Sequence, residues 1–370
     1  MHVCLTCVEL FGDSIYGGFG RATRFIGREL VRRGVRVSLV LPRRSAAHPD
    51  HYELEGMTVH QYSPYQPCAA VRLFRACQAD IYHSQDTSIG TVLAQIAAPK
   101  AKHVVTFRDP MSRWDWQLEN TYARLPRWGW TQYRFFIDNP LVRHAVRRAS
   151  RRYCAAEFLI PKATSVYGLK MLPGFLPSPV NVPDQVCKAE RPTVCYVGRW
   201  EARKRVEFFF ELARACPQVD FIAVGAARDP WRDRMLRERY GTIPNLRMTG
   251  VLDQFLTPEW SEILGCSWIL VNTSAREGLP TTFLEAAAHR CAILSCTDPD
   301  GFASRFGLVA TEWQLRQGLE ELLQRERWRA LGEAGWHHVA QVFGVDHAID
   351  AHLQAYSELL DQQHRRGGTP

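Results

Sequence analysis

The densest chemistry in the chain lies in Ala275-Arg276-Glu277-Gly278-Leu279-Pro280-Thr281-Thr282-Phe283-Leu284-Glu285. Two glutamates with seven residues between them bracket a Gly-Leu-Pro turn, and the second falls at a helix start. Such a turn aims one carboxylate and several backbone N–H groups into the same space. Carboxylates accept hydrogen bonds from sugar hydroxyls and a ribose diol, and amides at a helix start donate to phosphates. A nucleotide sugar presents all of these groups. Thr282 to Glu285 also fits a capping box, in which Glu285 accepts from the Thr282 N–H. That alternative accounts for Glu285 and leaves Glu277 unexplained.

A second constellation is Gly198-Arg199-Trp200-Glu201-Ala202-Arg203-Lys204. The glycine follows an apolar strand pattern and the cations flank a helix start. A departing diphosphate gathers negative charge, to which Arg199 offers a planar fork and Lys204 a point charge. The field of a helix N-terminus adds to both. Alone, the motif reads as a charged surface loop. Its place upstream of the glutamate pair favours a phosphate site.

The elements that must carry these residues alternate strand and helix. Val3 to Val8 reads as a buried strand, followed by a Gly17-Gly18-Phe19-Gly20 loop. A helix through Ala22, Phe25, Ile26 and Leu30 stops at Gly34, and Val35 to Leu41 is the next strand. Further strands are expected at Ile81 to His83 and His103 to Phe107. The stretch Pro173 to Pro192 holds five prolines and reads as a linker. Beyond it the alternation restarts: strands at Val194 to Val197, Phe221 to Val224, Trp268 to Val271 and Ala292 to Leu294, with helices through Val206 to Ala213 and Thr282 to His289. Helices close the chain, the last from about Val345 to Gln363. The expected fold class is α/β, with two doubly wound units and a cleft between the carboxyl ends of their sheets. The expected division is residues 1–175, a linker 176–192, a second domain 193–344 and a terminal helix with its tail at 345–370.

Composition agrees with a globular enzyme: 370 residues, 46% hydrophobic and 23% charged. The formal net charge of +8 points to anionic partners. Arg21 to Arg44 holds eight arginines and one acid, Glu29, and Arg143 to Arg152 holds five arginines. Both runs read first as solvated helix faces and second as surfaces attracted to an anionic membrane. Eleven scattered cysteines favour a reducing, cytoplasmic setting. Cys4 and Cys7 lie three apart on an expected strand and so point to opposite faces, which argues against a shared metal. No second pair has ligand spacing. The amino terminus enters a strand without a leader pattern. No apolar run is long enough to span a bilayer.

The strand, Gly198-Arg199, Lys204 and the Glu277-Gly278-Leu279-Pro280 to Glu285-Ala286 segment together resemble the retaining family 4 glycosyltransferases, which have the GT-B fold of two facing Rossmann-like domains. The resemblance spans nearly the whole chain, including the last helix, which in that family crosses back to the first domain. It implies that Arg199 and Lys204 hold the donor diphosphate and that Glu277 contacts the donor sugar near the reacting carbon. It implies that Glu285 accepts from the ribose. Backbone groups at Gly278, Thr281 and Thr282 would face the phosphates. The Gly17–Gly18 turn would approach the donor, and the Thr249-Gly250-Val251 turn would seat the base. Such enzymes usually need no metal or other cofactor. The resemblance implies a nucleotide sugar and a glycan or lipid-linked acceptor as partners, and the basic runs add an expected peripheral contact with an anionic membrane at the cytoplasmic face.

One position departs from the family. Its usual histidine after the strand Val104-Val105-Thr106-Phe107 is replaced by Arg108-Asp109-Pro110. An arginine stays protonated and cannot serve as a base, but it can bind an anionic sugar, an acceptor phosphate or the leaving group. An Arg108–Asp109 structural contact is the equal alternative. His83 ends the preceding strand and is a weaker candidate to face acceptor or donor. Residues 114–136 interleave eight aromatics with arginines, a composition that suits sugar rings, a membrane interface or an insertion burying its own rings. The missing histidine also motivates a rival reading, a non-catalytic nucleotide-sugar-binding protein. A nicotinamide oxidoreductase is disfavoured, because Gly18 to Thr23 gives a truncated fingerprint and Arg36 and Arg43 stand where an acid is wanted. No nucleic-acid module accompanies the charge.

Overall fold

The computed structural model describes residues 1–12, 17–43, 49–122 and 139–367, with side chains to residue 362. The chain forms two compact units, Met1–Pro179 with Val345–Pro370, and Val180–Gly344.

The first unit is built on eight strands: β1 His2–Thr6, β2 Arg36–Pro42, β3 His51–Leu54, β4 Met57–Tyr62, β5 Ile81–Ser84, β6 Lys102–Phe107, β7 Arg151–Cys154 and β8 Gly174–Phe175. Their order is β3-β4-β2-β1-β5-β6-β7-β8. Every neighbouring pair is parallel except β3 with β4. That hairpin escapes the periodicity reading because its strands, HYEL and MTVHQY, are largely polar. Its turn, Glu55-Gly56, has positive φ at both residues (51° and 81°), the backbone of a type I′ connection. Helices α1 Gly18–Arg32, α2 Pro67–Cys77, α3 Ile89–Ala97, α4 Arg113–Tyr122, α5 Pro140–Arg148 and α6 Leu159–Tyr167 cover the sheet. The β1 strand stops at Thr6, short of the expected Val8, and α1 opens at Gly18, so only Gly17 of the glycine stretch lies outside the helix.

The second unit has six parallel strands: β9 Thr193–Val197, β10 Asp220–Val224, β11 Leu246–Gly250, β12 Ile269–Asn272, β13 Ala292–Ser295 and β14 Gly307–Val309. Their order is β11-β10-β9-β12-β13-β14, the doubly wound Rossmann arrangement. Helices α7 Glu207–Ala215, α8 Pro230–Tyr240, α9 Glu259–Cys266, α10 Thr281–Ala288, α11 Phe302–Phe306, α12 Leu315–Leu323 and α13 Arg327–Phe343 complete it. Its core gathers Phe209, Phe210, Phe221, Tyr240, Ile269 and Trp328 between sheet and helices.

The chain passes from the first unit to the second at Pro179/Val180, within the proline-rich stretch, which also contains β8. It returns at Gly344/Val345 into the last helix, α14 Val345–Gly367. This helix buries Ile349, Tyr356 and Leu359 against Ile26 and Leu30 of α1 and the strands beneath, so it is part of the first unit's core. The spacing of those three apolar positions along α14 is helical.

The basic runs are largely spent on internal partners. Arg24 forks onto Glu55, and Arg28, Arg32 and Arg33 converge on the buried Glu29 carboxylate. Arg152 donates to the carbonyls of Val146 and Ala149 at the end of α5, and Arg143 and Arg147 reach Val166 and Tyr167 at the end of α6. These guanidiniums satisfy carbonyls that a helix end leaves without partners. Arg44 lies outside the described residues, as do Trp128, Trp130, Tyr133, Phe135, Phe136 and the arginines among them. Among the described residues no helix is long and apolar enough to cross a membrane.

Candidate functional site

In the second unit, β9 is flanked by β10 on one side and by β12 on the other. The strand order therefore reverses between β9 and β12, and the loops leaving their carboxyl ends diverge there. Such a switch point is where open α/β sheets bind ligands. The loop after β9 carries Arg199 and Lys204, and the loop after β12 carries Glu277.

The first loop is held to β10. Gly198 N donates to Val224 O and Trp200 N to Ala226 O, at 3.1 and 2.9 Å. Gly225 makes this approach possible. Its φ is +136°, and a Cβ there would stand 1.9 Å from Gly198 O. Trp200 is fully buried, and a short 3-10 turn over Ala202–Lys204 then delivers Lys204.

The second loop is folded by its own polar groups. Asn272 Oδ1 accepts from Ser274 N at 3.0 Å, and Asn272 Nδ2 reaches Glu277 Oε1 at 3.4 Å. Ala275 N donates to Arg203 O at 3.0 Å, and Thr273 Oγ1 to Lys204 O at 2.7 Å. The two loops thus form one unit, and Lys204 Nζ donates to Glu277 Oε1 in an ion pair. Burial alone would raise the Glu277 carboxyl, but Lys204 and Arg203 outweigh it and hold it down to about 2. Burial lowers the Lys204 ammonium, with Glu277 opposing. Arg199 is about one-third exposed and meets Glu201 at 3.2 Å. Arg203, which the sequence reading passed over, is the second cation acting on Glu277.

Helix α10 begins at Thr281 with Pro280 as its N-cap and no side-chain cap. This corrects the capping-box reading: Thr282 lies inside the first turn, so Glu285 is too far along the helix to serve as the box's acidic partner. Glu285 is buried on α10. Gly278, Thr281 and Thr282 are half-buried at the helix start, where first-turn amides lack intrahelical acceptors. Thr249 and Gly250 end β11 rather than forming a free turn, and Val251 is exposed just beyond them.

The first unit has its own switch point, between β1 and β5. The loops there carry Glu9 and Asp86. Glu9 Oε1 accepts from Gly20 N in the first turn of α1 at 3.0 Å, beside Gly17 and Gly18. Asp86, half-buried two residues past β5, is pushed up to about 7 by burial, with Asp109 and Glu9 adding to the rise and Arg108 opposing it. Its signal in the sequence was only its position after a strand.

His83 has both ring nitrogens engaged by side chains of the first unit. It is fully buried, with Nδ1 at 2.6 Å from Tyr356 Oη and Nε2 at 2.8 Å from Thr106 Oγ1, and burial holds its imidazole well below the usual range. It ties β5 to β6 and α14. Arg108 is also buried. Its Nη1 donates to Ser178 Oγ at 2.7 Å and its Nη2 to Gln85 Oε1, so its structural partners are these two. Burial lowers its guanidinium to about 10, still charged at neutral pH.

Comparison with known proteins agrees with this layout. The Glycosyltransferase Family 4 model matches residues 16–167, and the Glycosyl transferases group 1 model matches residues 191–324. No curated protein matches the chain by sequence. Among solved structures, sucrose-phosphate synthase from Thermosynechococcus elongatus superposes with a TM-score of 0.75 at 16% identity, covering 97% of this chain and 99% of that one. Anabaena HepE in complex with UDP gives 0.69 at 14% identity, covering 97% and 100%. The pneumococcal O-GlcNAc transferase GtfA in complex with UDP and GlcNAc gives 0.70 at 9% identity, covering 97% and 99%. At these identities the superpositions show the shared fold. With both halves matched in order and two parallel-sheet Rossmann-like units present, the chain belongs to the GT-B glycosyltransferases, a Family 4 domain followed by a group 1 domain.

Proposed function

We propose that the protein transfers a sugar from a nucleoside diphosphate sugar to a hydroxyl acceptor with retention at the anomeric carbon, in the assembly of a glycan, polysaccharide or lipid-linked saccharide. The observation that carries this reading is the Lys204–Glu277 pair at the switch point of the second unit, beside the open first turn of α10. Lys204 and Arg199 take the charge of the departing diphosphate, a role that needs no metal. First-turn amides of α10 add donors to it. Glu277, ionised at neutral pH, accepts from the donor sugar's hydroxyls and Glu285 from the ribose. Val251 lies on the side of the base. In the same-face pathway the acceptor oxygen bonds to the anomeric carbon as that carbon's bond to the diphosphate oxygen breaks, and a leaving-group oxygen receives the acceptor's proton. The protein supplies position and charge.

The first unit is proposed to take the acceptor. Asp86 stands at its switch point and, titrating near neutrality, can accept from an acceptor hydroxyl. HepE and GtfA, both solved with UDP, make a uridine donor the first to test. A thermal-shift screen of UDP-, GDP- and ADP-sugars is expected to show one base stabilising the fold by mass action. NMR of the product is expected to show the donor's anomeric configuration. Inversion rules out the retaining pathway, and no shift with any donor removes the donor site. A second reading, nucleotide-sugar binding without transfer, is favoured by one observation: Arg108 replaces the family's histidine and both of its terminal nitrogens are engaged. Donor binding without product on any acceptor would select it.

A further inference from the structure

Arg205 follows Lys204 and has φ of +50°, in the left-handed region that favours glycine. A residue with a side chain is strained there. The side chain does what glycine could not. Its Nε donates to Thr273 O at 2.8 Å, its Nη2 to Ser274 O at 3.4 Å, and its Nη1 meets Glu312 Oε1 at 3.3 Å. The guanidinium lies over the Phe208 ring, 5.6 Å from its centroid. Thr273 and Ser274 are fully buried and begin the loop that ends in Glu277. Thr273 returns a bond to Lys204 O, so the two loops are joined in both directions around Arg205.

We infer that Arg205 is a positioning residue for donor binding: its guanidinium clamps the carbonyls of Thr273 and Ser274 so that Glu277 is presented to Lys204 in the geometry that receives a nucleoside diphosphate. This rests on the donor-site reading of that pair. The strained backbone and the planar fork belong together, because the left-handed turn is what points the fork back across the switch point at the second loop. A lysine can satisfy only part of this pattern.

Arg205→Gly relieves the backbone while removing the clamp, and Arg205→Lys keeps the charge without the fork. Hydrogen exchange of residues 273–277 and calorimetric titration with UDP, GDP and ADP are measured on wild type and both variants. The expected result is faster exchange at 273–277 in both variants, with the binding diphosphate weakened about tenfold or more, as loss of a charge-assisted pair of bonds implies, and a melting temperature close to wild type for Arg205→Gly. Unchanged exchange overturns the clamp. Faster exchange with unchanged affinity overturns the positioning role and leaves a structural one. If Arg205→Gly fails to fold, Arg205→Lys decides by the same two readouts. Wild type binding none of the three diphosphates removes the donor reading and this proposal with it, whereas wild-type binding with unaffected variants removes this proposal alone.

Discussion

Replacing Lys204 with methionine keeps the length and apolar stem of the side chain and deletes the charge facing Glu277. In the intact protein the Glu277 carboxyl sits at about 2, against an ordinary 4.5. A depressed folded-state value contributes stability that is present above about pH 4.5 and lost as pH falls towards 2. A difference of about 2.5 units is worth about 3 kcal/mol. Arg203 remains in Lys204→Met, but burial then pushes the carboxyl upward, so part of that stability disappears and its pH dependence moves to higher pH. The expected loss is about 2–3 kcal/mol at pH 7, towards the lower end of the cost of breaking a buried pair. Urea unfolding of the isolated protein from pH 3 to pH 8 measures it. The double variant Lys204→Met with Glu277→Gln is expected to recover much of the loss, because no uncompensated charge then stays buried. A loss below about 0.5 kcal/mol, or a double variant no better than the single, refutes the reasoning.

Two further outcomes follow from the same structure. Asp86 has a folded value of about 7, well above its ordinary 3.8, so its ionisation destabilises the fold, a cost that is absent below about pH 4 and complete above about pH 7. Asp86→Asn is therefore expected to stabilise the fold at pH 8, by about 1–2 kcal/mol after discounting for its solvent contact, and to leave it unchanged at pH 4; melting curves at the two pH values check this, and equal effects at both contradict it. Gly225→Ala sets a Cβ 1.9 Å from Gly198 O at a φ of +136°, so a loss of about 3 kcal/mol or more is expected. A near-native melting temperature would show that the loop after β9 is not held as described.

The elements that carry the second unit's candidate site are legible, because a strand followed by a polar loop and a helix shows in apolar runs alone. The meeting of Lys204 with Glu277, 73 positions apart, is implied by the family resemblance and not by any local pattern. What was not legible depends on partners far apart in sequence. His83 looked available because it ends a strand, yet Tyr356 lies 273 positions away and fills its Nδ1. Arg108 looked free to bind an anion, but Ser178, 70 positions on, takes one of its nitrogens. The arginine runs read as solvated faces, while their use as caps for α5 and α6 appears only once those helix ends are placed. Thr282 to Glu285 fits the four-residue capping-box pattern, but the helix takes Pro280 as its N-cap, two residues before Thr282, and the fixed φ of proline suits that boundary. The hairpin of β3 and β4 does not show in the apolar pattern because its strands, HYEL and MTVHQY, are largely polar.

The assembled loops around Lys204 and Glu277 are the heart of the account, and donor turnover tests them most directly. With a donor that stabilises wild type in the thermal screen, release of the nucleoside diphosphate is measured in wild type, Lys204→Ala and Glu277→Ala. Rates at least about a hundredfold lower are expected in both variants, from the loss of about 3 kcal/mol of charge and positioning at the reacting centre. Near-normal turnover in either folded variant would contradict the assignment.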